Sequence, residues 1–360
     1  MTVNVAEKSR PRAAALPDAP AYDAPPCSAP LDALGALGSP AALARLGIGA
    51  DAVPARLWRS ALLDPAEAFL SRPGKAFRGR LVELGWALGE GEDACPDALV
   101  ALVELLHAGS LIVDDIEDGS ETRRGGPTLH RSHGVPLALN TGNWLYFAAL
   151  SLIEGLDCPP ARRGALYREA VRMLTRCHHG QALDISVHIG LLAHHEVAGV
   201  VEATTRLKTG ALMGWAAGGA AIAAGAEGER AAAITAFGEA LGAGLQMLDD
   251  LSGLCNPARR HKGVEDLRGA RPTWPWAWLC ETVDEVTFVR LQHRARDARE
   301  GGGGVERLAD ALARRVERPG RAAVAAQLDA AFDGLEAAVG AHPALAAARS
   351  EVDRLGRSYL

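Results

Sequence analysis

The stretch LHAGSLIVDDIEDGSETRRGG, residues 106–126, decides the reading of this chain. Upstream of it Leu99, Leu102, Val103 and Leu106, then Ser110, recur at three- and four-residue steps, the period of a helix face. The spacing predicts a helix that ends near Gly119 and places Asp114 and Asp118 on one side. Asp114, Asp115 and Asp118 lie within two turns, at the helix end where the backbone dipole is already negative, so they repel one another. A solvated acidic terminus tolerates that repulsion; a divalent cation removes it. Mg²⁺ takes one or two carboxylates and completes its shell with water and phosphate oxygens, which suits so open a donor set.

The helical period governs the rest of the chain. No strict alternation persists, and 5% aromatic residues beside 40 Gly and abundant Ala leave little strand-forming material in a sequence that is 48% hydrophobic. The expected fold class is all-α, an antiparallel helical bundle formed by residues 31–360 as one domain. Residues 1–30, rich in Pro and Ala, read as a tail without regular structure. The uncharged run from Thr209 to Ala226 is Gly and Ala, too weakly apolar for a bilayer, and reads as a buried, closely packed helix; no membrane span is expected. With 38 Lys and Arg against 44 Asp and Glu, a net charge of −6 provides no field to hold nucleic acid. The six cysteines show no CxxC spacing, which argues against zinc and a disulfide scaffold and favours a reducing, cytoplasmic compartment.

A second acidic pair, Asp249 and Asp250, follows the apolar stretch LGAGLQML, again near an expected helix end. Two such pairs facing each other across a bundle suit several Mg²⁺ ions gripping one diphosphate. The position matching Asp118 is Gly253, so this wall has fewer ligands. Basic residues complete the set: Lys75 and Arg78, Arg123 and Arg124, Lys208, then Lys262 and Arg271 flanking Asp266. Arginine offers a planar fork to phosphate oxygens and lysine a mobile point charge, so the adjacent Arg123 and Arg124 suit two different diphosphates.

These residues resemble those of the trans-isoprenyl diphosphate synthases, in register from about Pro73 to Pro275. PGKAFR is similar to the family's GGKxxRP element, and HAGSLIVDDIEDGSETRRGGPTLH to its first aspartate-rich motif. HGVPLALNTGNWLYFAAL, HHGQALDI, LKTGALMG and LQMLDDLSGL follow in the family's order. The wording most resembles geranylgeranyl diphosphate synthases of the eukaryotic type, whose second motif is also reduced. Departures are Ala76 and Gly79, where many relatives have Arg and Pro, and Arg271, where many have Lys.

The resemblance implies the isoprenoid synthase fold around a central cavity, and a head-to-tail coupling: an allylic diphosphate ionises, isopentenyl diphosphate attacks the cation, and a proton is lost. It implies that Asp114, Asp115, Asp118 and Asp249 hold Mg²⁺, that Arg123, Lys208 and Lys262 neutralise the allylic diphosphate, and that Lys75, Arg78, His107 and Arg124 hold isopentenyl diphosphate. Thr209 and Gln246 are then placed along the reacting carbons. It also implies a homodimer, with Trp144, Tyr146 and Phe147 as candidate contacts. Product length in such folds depends on residues below the first motif. Gly109 and Ser110 are small here, which implies a product of twenty carbons, or of twenty-five, with Leu106, Leu145 and Tyr146 as candidate floor. Two other readings remain open: a terpene cyclase on the same framework, and a non-catalytic subunit.

Overall fold

The computed structural model describes residues 28–47, 53–74 and 77–360. Of the expected tail, residues 1–27 lie outside the described residues, and the rest is a correction: Ser28–Leu37 is already helix. Pro30 is tolerated there because a first-turn N–H has no intrahelical partner to lose. Apart from a two-residue hairpin, Thr122–Arg123 with Gly126–Pro127, the described regular elements are helices.

Pro96 precedes the Asp97–Glu117 helix, and Asp97 sits favourably at its positive end. Leu99, Leu102, Val103, Leu106 and Ile112 form its buried side. Gly119, at φ 62°, supplies the left-handed residue that ends it. This first acidic helix packs on Val135–Ser151. The uncharged run becomes Ala211–Ala224, almost wholly buried between Phe77–Leu88 and Gly228–Cys255. A Cβ at Gly85 would stand 2.1 Å from the Ala217 carbonyl oxygen, so the two helices touch backbone to backbone. Alanine and glycine do here what leucine cannot: they bring elements close enough to pack without bulk.

Gly228–Cys255, the second acidic helix, runs through both apolar cores. Ile234, Phe237 and Leu241 join the cluster containing Phe69, Leu102, Leu105 and Phe332. Met247, Leu248 and Leu251 join the one built on Trp276, Trp278, Phe288 and Leu312. Among the described residues it is the one helix apolar and long enough to cross a bilayer, but its apolar face is occupied by these two cores.

Candidate active site

Each carboxylate of the first motif meets its own cation. Lys208 Nζ donates to Asp114 Oδ1 at 2.9 Å and to Asp184 Oδ2 at 2.7 Å. Arg123 donates to Asp115 Oδ1 through Nε at 2.8 Å and through its terminal nitrogen at 2.5 Å. Arg271 pairs with Asp118 and lies 3.7 Å from Asp266. The electrostatics follow. Burial works against the Asp114 carboxylate, but Lys208, Gln181 and Arg123 outweigh it and hold its pKa below the usual value. Burial wins at Asp115 and Asp118, whose pKa values are raised despite their arginine partners. Lys208 reaches the motif from a single π-turn, Arg206–Gly210, set between Val197–Thr205 and Ala211–Ala224. Such turns re-aim side chains without ending a helix and recur at functional sites.

Arg123 and Arg124 diverge because they sit on the hairpin. Arg124 (φ 51°) and Gly125 (φ 74°) supply the two positive φ values that a two-residue type I′ turn needs. Arg123 turns to Asp115, whereas the Arg124 guanidinium lies 5.4 Å from the Phe69 ring centre and beside Gly74. Around Arg124 gather Arg72, Arg78 and His107, with Glu104 as the opposing charge. Burial, then Arg78, Arg124 and Arg123, holds His107 well below its usual pKa. Burial also lowers Arg78, and its buried Nε has no hydrogen-bond partner. The cluster is therefore short of negative charge. Lys75 lies outside the described residues.

The second motif is built differently. Thr209 Oγ1 donates to Gln246 Oε1 at 3.0 Å, and Gln246 Nε2 donates to Asp250 Oδ1 at 2.8 Å. Asp250 Oδ2 accepts the Trp274 backbone N–H at 3.0 Å. Burial, with Asp266 nearby, pushes Asp250 well above the carboxylate range, so it serves the protein's interior. Asp249 pairs with Arg259. Burial also pushes Asp266 up to about 7, Arg271 opposing and Asp249 adding; through Arg271 and Asp266 the two acidic motifs meet. A Cβ at Gly253 would lie 3.1 Å from Gly263 N, because the Arg260–Arg268 helix rests against it. Lys262 stands exposed on that helix, with no ion pair to either motif among the described residues.

Below the first motif the structure separates three positions read together from sequence. Gly109 is a packing residue: a Cβ there would stand 2.7 Å from Gly142 O and 3.2 Å from Leu145 Cβ. Its small size admits the Val135–Ser151 helix at close range. Leu106 is 2% exposed, within the core. Ser110 is partly exposed, its Oγ donating to His107 O at 2.8 Å. Sequence reasoning passed over Asp184, Gln181, Glu104 and Arg259 as site residues. The first two stand in the HHGQALDI motif; Glu104 and Arg259 carry no motif signal, because only folding brings them to their partners.

The donor set suits Mg²⁺. Its atoms are carboxylate oxygens, and Asp115 Oδ2 is buried without a hydrogen-bond partner. Among the described residues no three His, Cys, Asp or Glu side chains form a ready-made metal cage. An ion that keeps water and phosphate oxygens in its shell needs none.

Known proteins share stretches of this sequence and its fold. A geranylgeranyl pyrophosphate synthase of Apiospora sacchari is 36% identical over 124 residues, 34% of this chain and 36% of that one. One from Eremothecium gossypii is 36% identical over 129 residues, 34% and 39% of the two chains. The matched stretch thus spans little more than a third of these relatives. A decaprenyl diphosphate synthase from Rhodobacter capsulatus superposes with a TM-score of 0.73 at 20% identity, over 92% of this chain and 96% of that one. A geranylgeranyl pyrophosphate synthetase from Pyrococcus horikoshii gives 0.65 at 24%, over 82% and 88%; both share the all-α fold. The polyprenyl synthetase family model matches residues 59–309, a span that takes in both acidic motifs, the hairpin arginines and Lys208, and the chain belongs to the polyprenyl synthetase family.

Proposed function

We propose that the protein is a Mg²⁺-dependent prenyltransferase that couples isopentenyl diphosphate head-to-tail to an allylic diphosphate, with geranylgeranyl diphosphate as product. One observation carries the reading: two cation-bearing sites share one hairpin. At the first, Asp114, Asp115 and Asp118 stand among Lys208, Arg123 and Arg271. At the second, Arg78, His107 and Arg124 face Glu104 as the opposing charge. A site with carboxylates takes a diphosphate through cations; a site short of carboxylates takes one directly. Two diphosphates on adjacent arginines are what a coupling of two isoprenoid diphosphates requires.

Asp114, Asp115 and Asp118, with Asp249, would hold Mg²⁺, which supplies Lewis-acid charge that weakens the bond to the leaving diphosphate. Lys208 and Arg123 are placed to neutralise oxygens that gain charge as that bond breaks, the step where fixed charges help most. Thr209 and Gln246, hydrogen-bonded to each other, would offer their oxygens to an allylic cation. Arg78, His107 and Arg124 hold the nucleophile's diphosphate, and the released diphosphate takes the proton.

Incubation with isopentenyl diphosphate, allylic diphosphates and Mg²⁺, extracted with and without phosphatase treatment, tests the reading. Elongated diphosphates support it; hydrocarbons released without phosphatase point to a cyclase, and no product to a non-catalytic subunit. Val135, Leu139 and Phe147 are 48%, 40% and 72% exposed on one helix, which supports a homodimer through that face. Light scattering of Phe147→Glu, expected to be monomeric, checks it. The free thiols at Cys95, Cys158, Cys177, Cys255 and Cys280 fit a cytoplasmic setting.

A further inference from the structure

The second acidic wall presents one available carboxylate. Asp250 is bound inward by Gln246 and the Trp274 N–H, and Gly253 has no side chain. Asp249 stands alone, and Arg259 takes its Oδ1. Arg259 is itself held from two further directions. Its Nε donates to Ser252 Oγ at 2.8 Å, and its guanidinium lies 3.8 Å from the ring centre of Tyr359. Tyr359 is 7% exposed, and its carbonyl accepts from Asn256 Nδ2 at 3.0 Å. The Arg259 side chain is 16% exposed and that of Asp249 36%, so a well-packed cation covers a carboxylate that opens to solvent on its other side.

We propose that Arg259 is a positioning residue of the second acidic motif: it holds Asp249 before substrate arrives and must share or yield that carboxylate to an incoming metal-bound diphosphate, Tyr359 setting how firmly it holds. The inference rests on the diphosphate reading above and deepens it. Charge balance supplies the argument. The Asp249–Arg259 pair is neutral before any metal enters, so a metal ion competes with a guanidinium for the same oxygen. The strength of that pair therefore sets the cation concentration at which this wall fills. Tyr359 acts from the helix Pro343–Tyr359, far along the chain from either acidic motif, through a stack that stabilises the guanidinium where it lies.

The test titrates Mg²⁺ into the full chain at fixed inorganic pyrophosphate and reads half-saturation by calorimetry. Arg259→Gln should lower the half-saturating Mg²⁺ about fivefold and Tyr359→Leu about threefold, the effects of one partly buried ion pair and one cation–π contact. Arg259→Lys keeps the charge but loses the stack and the Ser252 contact, and should fall between wild type and Arg259→Gln. Melting curves establish that each variant is folded; should Arg259→Gln not fold, Tyr359→Leu and Arg259→Lys decide the matter. Unchanged or weaker Mg²⁺ uptake in folded variants overturns the inference and leaves the diphosphate reading standing. Wild-type protein that takes up neither ion overturns both.

Discussion

Lys208 Nζ lies 2.9 Å from Asp114 Oδ1 and reaches it from a π-turn inside a helix, with Asp184 as its second partner. The first motif is thus not a patch of unrelieved repulsion, because its carboxylates are matched by cations from three other segments. Asp114→Ala should abolish turnover and also cost about 1 to 3 kcal/mol of stability, since Lys208 loses one of its two charge-assisted hydrogen bonds. Product assay together with thermal melting checks both halves; wild-type activity at saturating Mg²⁺ counts against the metal role.

Arg124 permits an unusually clean substitution. Its φ of 51° is strained for a side-chain-bearing residue and natural for glycine. Arg124→Gly should therefore leave stability unchanged or raise it by about 1 kcal/mol, while raising the apparent KM for isopentenyl diphosphate about tenfold or more. Arg123→Ala should instead lower kcat, because its partner is Asp115. Steady-state kinetics with each substrate varied separates the two; a change confined to the allylic substrate in Arg124→Gly reverses the assignment.

Gly109 and Ser110 should respond differently. Gly109→Ala places a methyl group 2.7 Å from Gly142 O and should cost about 1 to 3 kcal/mol through overpacking. Ser110→Phe fills partly exposed space and should shorten the product to about fifteen carbons, since further extension carries a similar overpacking cost. Chromatography of dephosphorylated products, with melting curves beside it, decides between them.

Restoring the missing acid should fail. Gly253→Asp meets Gly263 N at 3.1 Å from its first side-chain atom, so the Arg260–Arg268 helix must shift. A loss of about 1 to 3 kcal/mol and no gain in Mg²⁺ affinity are expected. Tighter Mg²⁺ binding in a stable variant contradicts this account of the second wall.

His107 supplies a pH signature. Burial and the surrounding arginines keep it neutral in the fold, whereas the unfolded chain protonates it near a pH of about 6.5. The unfolded state then binds more protons, so stability of the ligand-free protein is lost as pH falls below that value, by about 1.4 kcal/mol per unit for this one group, until the folded-state pKa is reached. Urea unfolding across that range should show a shallower loss in His107→Gln. Added pyrophosphate should be bound with proton uptake, seen as buffer-dependent binding heats.

The sequence by itself determined the helices and pointed to the acidic motifs as the candidate site. The step of Leu99, Leu102, Val103 and Leu106 marks a helix face, and three aspartates before Gly119 mark a helix end that wants cations, because both patterns are local. The paired arginines in TRRGG could likewise be read as serving two diphosphates, since each carries its own planar fork for phosphate oxygens. Tertiary structure decided the rest. Gly109 is small in sequence, and only the fold shows Gly142 O packed against it; Asp249 and Asp250 are neighbours in sequence, yet Asp250 turns to the Trp274 N–H and Asp249 to Arg259. Glu104, Asp184 and Arg259 acquire their roles from partners brought near by folding. Side-chain periodicity is written in neighbours along the chain, whereas the pairing of charges and the room around a small residue depend on which helices pack together.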